Sequence, residues 1–208
     1  MQTKKMFIGK DFWAGGDFGL LVSYPNGSSQ NIKKLLNYLW NWGILDGPYH
    51  SNQKEPKNQL KSKIQIPTEN FGPTDYGVIS LPRKKKAPCS LSSYILIGTK
   101  NHYFIHISIP MGALDGLKIY PVGGYPFGTH EDHSKWIKEL SGSFLDFAKE
   151  MFKIYKFQRA IIGYFVDDEK FLGDEKYKIP RKRYIGYLIN EYNKIKWYPP
   201  NVFSGQFN

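Results

Sequence analysis

The chain has 208 residues, a length that suits one domain or two small ones. Its 29 lysines and arginines outnumber its 18 aspartates and glutamates, for a formal charge of +11, and 14 Phe, 15 Tyr and 5 Trp supply the large side chains of a core. Acidic disorder is excluded, an internal disulfide cannot form around the single Cys89, and the longest apolar runs stop far short of the ~20 residues that cross a bilayer.

The first ten residues are basic, with Met6-Phe7-Ile8 as their apolar run before Gly9; an export signal needs about 7–15 apolar residues, so none is read. With one cysteine, the expectation is a cytoplasmic protein. Asp17 to Tyr24 reads as a strand ending at the turn Pro25-Asn26-Gly27. Ser28 or Ser29 then caps a helix over about 29–42, because Ile32, Leu35, Leu36, Leu39 and Trp40 recur at helical spacing and Gly43 follows. Residues 46–75 are rich in Gly, Pro, Asn, Lys and Ser and read as a long polar loop. Strands are expected over 76–81 and 94–97. A third, 102–109, alternates Tyr103, Ile105, Ile107 and Ile109 with His102, Phe104, His106 and Ser108, and Gly98 to Asn101 makes a hairpin with the preceding run. Leu117 to Tyr120 is a further expected strand. A helical stripe runs over 131–156, interrupted by Ser141-Gly142-Ser143, which allows one kinked helix or two in succession. Strands over 160–166 and 184–189 complete the chain. The order predicts a single α+β domain over 1–208, a mainly antiparallel sheet of six to eight strands with two main helical regions packed on it.

The charge is uneven: residues 1–110 carry a net +8 and residues 111–208 a net +3. Two proline-flanked clusters, Arg83-Lys84-Lys85-Lys86 and Arg181-Lys182-Arg183, read as exposed loops and candidate binding residues, and the spaced group Lys54, Lys57, Lys61 and Lys63 reads as an exposed loop. Loops 46–75 and 82–88 are expected to be exposed. Chemistry is harder to find. His130 and His133 flank two carboxylates, but a helix start rich in Glu and Asp is equally what the helix macrodipole favours. His102 and His106 share one strand face, which reads more simply as a solvated face. Asp167 and Asp168 follow an apolar strand as metal-dependent sites do, yet an acidic surface turn has the same pattern. Cys89 has no visible base. No catalytic residue, metal site or cofactor is therefore assigned.

The aromatic and glycine-rich Phe12-Trp13-Ala14-Gly15-Gly16, the helix Ile32 to Trp42, and the pairing of Ala160-Ile161-Ile162-Gly163 with Gly186-Tyr187-Leu188-Ile189 resemble the layout of the immunity protein fifty-two family of bacterial polymorphic-toxin systems. The resemblance implies a non-enzymatic, stoichiometric binder of a cognate toxin. The basic charge departs from the acidic character of many immunity proteins, so the toxin would present an acidic or neutral face. The expectation is a cytoplasmic protein-binding module first, a nucleic-acid binder through the basic clusters second, and a metal-dependent enzyme third.

Overall fold

The computed structural model describes residues 2–68, 72–118, 131–164, 169–173 and 176–202, with the backbone alone at 2–4, 131–134 and 169–170. Its strands are β1 (Asp17–Tyr24), β2 (Leu45–Tyr49), β3 (Thr74–Ser80), β4 (Lys86–Ile95), β5 (Tyr103–Pro110), β6 (Arg159–Tyr164), β7 (Gly186–Glu191) and β8 (Lys194–Tyr198). Among the described residues these form one sheet in the order β2-β3-β4-β5-β1-β6-β7-β8. Every neighbouring pair is antiparallel. The helices are α1 (Gln2–Ile8), α2 (Ser29–Asn41), α3 (Met111–Gly116), α4 (Glu131–Ile154) and α5 (Glu169–Gly173). The fold is α+β, one compact body with α2 and α4 as its main helices. No helix among the described residues is long and apolar enough to cross a membrane.

The main core lies where α2 and α4 cover one face of the sheet. Phe18, Leu20, Val22 and Tyr24 of β1 meet Ile32, Leu35, Leu36 and Leu39 of α2 and Leu140, Phe144, Phe147 and Met151 of α4 in one buried cluster. The cap on α2 is the Ser28 hydroxyl, which accepts from the Asn31 N–H at 3.2 Å. Gly43, two residues beyond the helix, has a φ of +86°, the left-handed turn that glycine adopts without strain.

The pairing of 160–162 with 186–188 is observed between β6 and β7. Other expectations are corrected or decided. The loop 46–75 is shorter, because Leu45–Tyr49 is an edge strand and β3 begins at Thr74; within it Ile64 and Ile66 pack partly against the core. The 82–88 loop reduces to a turn, since β4 starts at Lys86 and Ala87, Pro88 and Cys89 are buried. The helical region expected over 131–156 is present, and of the one or two helices left open there residues 131–154 form a single one, with Gly142 facing open space and the Ser143 hydroxyl bonded to the Glu139 carbonyl. Leu117 and Lys118 follow α3 in a turn rather than opening a strand; residues 119 and 120 lie outside the described residues, as do 165 and 166 at the end of the expected sixth strand.

The second sheet face is covered in part. Leu21, Phe104, Ile161 and Tyr187 pack with Phe171 and Leu172 of α5, while Phe7 of α1 packs on Tyr49 and Val78. The face carrying His102, Phe104 and Ser108 is therefore buried at those residues, which corrects its reading as a solvated surface.

Candidate functional site

The structure divides the first basic cluster. The Leu81 N–H bonds to the Lys85 carbonyl across a tight turn in which Arg83 and Lys84 both have φ near +58°. The Arg83 guanidinium lies 4.5 Å from the centre of the Trp136 ring and pairs with Glu139, and Lys85 donates to the Leu117 carbonyl at 2.7 Å while approaching the same ring. Arg83 and Lys85 thus fasten the β3–β4 hairpin to α4, leaving Lys84 and Lys86 directed to solvent.

The second cluster divides in the same way. Arg183 donates to the carbonyls of Pro180 and Pro199, each at 3.0 Å, and its N–H bonds to Asn201 Oδ1 at 2.7 Å. Arg183 is a clamp between the chain entering β7 and the chain leaving β8, whereas Arg181 and Lys182 are exposed. The strand registers bring both clusters to the end of the sheet where β1 begins. Four strand spacings separate β4 from β7, roughly 20 Å, so they are two patches and not one.

The candidates for chemistry are largely built into the fold. His102 Nε2 lies 2.7 Å from the buried Ser23 hydroxyl, which also donates to the Leu172 carbonyl at 3.2 Å. Burial lowers the His102 pKa. His106 sits 3.7 Å from Asp17; burial lowers its pKa and the Asp17 carboxylate partly opposes this. Cys89 is fully buried on β4, and burial, with Asp46 adding to it, pushes the thiol up and out of reach of a reactive thiolate. Among the described residues no three His, Cys, Asp or Glu side chains are grouped to hold a metal. His130, Asp167 and Asp168 lie outside the described residues, and of His133 only the backbone is described.

The opposite end of the sheet carries a feature that sequence reasoning missed. Tyr24 stands opposite Tyr103, Ser23 opposite Arg159, Arg159 opposite Ile189 and Glu191 opposite Lys194, so the β4–β5 and β7–β8 hairpin tips emerge there together with the turns before α2 and after α4. Hydrogen bonds join these turns into a rim. The Gly27 N–H donates to Asn101 O at 2.8 Å, the Gln158 N–H to Ser23 O at 3.2 Å and the Asn190 N–H to Gln158 O at 2.9 Å. Lys156 Nζ reaches Asn193 Oδ1 at 3.0 Å, and the Tyr24 and Tyr155 rings stack at 4.9 Å.

Two large side chains stand out from this rim, Ile97 at 72% and Tyr192 at 97% exposure. Tyr192 and Asn193 are the central residues of a two-residue turn with φ of +52° and +65°. That geometry favours Asn and Gly and is costly for an aromatic residue. The signal in the sequence was Asn193 between two short alternating runs, without the Asn-Gly pair that would have marked the hairpin. No protein-family model, curated protein or solved structure matches the chain.

Proposed function

We propose that this protein is a stoichiometric binding module of the immunity type, which docks on a cognate protein through the rim of hairpin tips and turns at the end of the sheet that bears Tyr192. The observation that carries this reading is Tyr192 itself: a large aromatic ring held almost wholly in solvent, on a backbone conformation that a smaller residue would adopt at lower cost. Strain of this kind is retained where a site uses it, and tyrosine is enriched among the few residues that dominate interface energies. Ile97, on the β4–β5 tip four strand spacings or roughly 20 Å along the same rim, adds a second apolar contact, and Lys100, Lys156 and Lys194 are exposed on the rim's turns. With a formal charge of +11, the chain favours a partner with an acidic or neutral contact face. A role of this kind asks for no catalytic group and no cofactor.

The test is co-expression with the toxin domain encoded by an adjoining gene, followed by titration of the purified pair. The expected result is protection of the host cell and a 1:1 complex whose affinity falls at least about tenfold in the Tyr192→Asn, Ile97→Ser variant, a loss of about 1.4 kcal/mol. An unchanged affinity in that variant would remove the rim from the interface. Oligonucleotide binding tighter than about micromolar at physiological salt would move the reading to nucleic acid.

A further inference from the structure

A second surface lies away from that rim, between α2 and the extended segment 61–66. The Ser62 N–H donates to the Pro48 carbonyl at 2.8 Å, which lays this segment along the edge strand β2. Side chains of an extended segment alternate in direction. Here Ser62, Ile64 and Ile66 turn inward, and Lys61 and Lys63 turn out on one side. Facing them is the exposed row of α2 at i, i+4 and i+8: Lys33, Asn37 and Asn41. The two rows wall a cleft of about 470 Å³, within the range of small-molecule sites.

The cleft is positive. Three ammonium groups line it, and the carboxylate nearest to them is Asp46, 3.5 Å from Lys61 Nζ. Lys33 and Lys63 enter no ion pair among the described residues. Asn37 and Asn41 each donate one amide hydrogen to a helix carbonyl, at 2.8 and 2.7 Å, and keep a second N–H. The walls also hold two buried polar atoms without a partner, Trp40 Nε1 and Ser62 Oγ, and Trp40 is only 4% exposed.

We infer that this cleft binds a small phosphate-bearing ligand, of the size of a di- or triphosphate group. Charge selects an anion, and three ammonium groups set on two elements suit one with several charged oxygens, as a di- or triphosphate has. Arginine, whose two-pronged fork matches carboxylate and phosphate alike, is absent from the lining. Lysine acts as a point charge that engages oxygens from several directions, as a tetrahedral phosphate presents them. The lysines line an open cleft from two elements instead of forming a stripe along one, which favours a compact ligand over a nucleic-acid backbone. This inference does not depend on the partner proposed for the rim.

The test is calorimetric titration of the full chain with sodium triphosphate at about 0.1 M salt. A saturable 1:1 isotherm with Kd below about 100 µM is expected. The double variant Lys33→Ala, Lys63→Ala is expected to weaken binding at least about tenfold, while Lys149→Ala, Lys153→Ala, which removes the same charge from α4, changes it less than about twofold. A Lys33→Gln, Lys63→Gln variant, with thermal unfolding measured on each protein, separates lost binding from lost folding. The inference is overturned by the lack of a saturable isotherm, by equal losses in both alanine pairs, by citrate binding as tightly as triphosphate, or by a single-stranded oligonucleotide outcompeting triphosphate at the same lysines.

Discussion

Tyr192 is subject to two opposing demands. Its left-handed backbone costs an L-residue with a bulky side chain about 1 kcal/mol relative to asparagine, while its exposed ring contributes no burial in return. Tyr192→Asn is therefore expected to raise unfolding stability by about 1 kcal/mol in urea titration even as it weakens the proposed complex; a destabilised variant would mean that the ring is structurally needed. Asp75 poses a different problem, because burial on β3 raises its carboxyl pKa from 3.8 to about 6, with His50 opposing the shift. The folded state binds this proton more tightly than the unfolded state, so its contribution to stability is complete below pH 3.8 and lost as pH rises through about 6. Asp75→Asn is expected to stabilise the protein at pH 7 and to remove that decline from denaturation midpoints measured between pH 4 and 7. His102 has the opposite sign: its lowered pKa favours the neutral ring in the folded state, so stability is lost as pH falls below 6.5. Neither burial is legible locally. Asp75 stands at the start of a strand beside Thr74, as a turn residue would, and His102 is held against Ser23, which is distant from it in sequence.

At the scale of elements, legibility follows the strength of the local pattern. The apolar stripe of α2, its Ser28 cap and its Gly43 stop agree with one another, and the helix forms where they place it. In α4 the local signal and the packing disagree. Ser141-Gly142-Ser143 weakens helix propensity, but Leu140, Phe144, Phe147 and Met151 keep one buried stripe across it, and that burial holds the helix continuous. Because Gly142 faces open space, Gly142→Ala is expected to add about 1 kcal/mol of stability, measured as an increase in Tm. Strand β2 escaped notice for the converse reason: Gly47-Pro48 reads as a loop, yet an edge strand accommodates a proline. Gly47 is needed there, since a Cβ at Gly47 or at Gly77 on β3 would come within 2.6 Å of the Trp40 ring. The indole of α2 is seated over these two glycines, and Gly77→Ala is expected to cost about 1–3 kcal/mol in chemical denaturation.

The whole molecule is a sheet with unequal covers, and this decides how it should come apart. One face is closed by the long helices α2 and α4, whose stripes are visible in the sequence; the other is closed in part by α5, five residues that carry no such signal. What holds α5 is a mixture of burial and polar contact from the sheet below it. Phe171 is fully buried against Tyr187 at 4.7 Å, Arg159 donates to the Phe171 carbonyl at 2.7 Å, and Ser23 donates to the Leu172 carbonyl. Arg159 and Ser23 are themselves buried, so undocking α5 would deprive them of these acceptors inside the sheet. The second layer is thus coupled to β1 and β6 at the centre of the fold, and its short length does not make it an independent flap. Phe171→Ala is expected to destabilise the protein by about 3–5 kcal/mol, as a buried phenylalanine does in a core. Hydrogen exchange should then show protection falling together in β1, β6 and α2. A loss below about 1 kcal/mol, with faster exchange confined to α5, would place the second layer outside the cooperative unit.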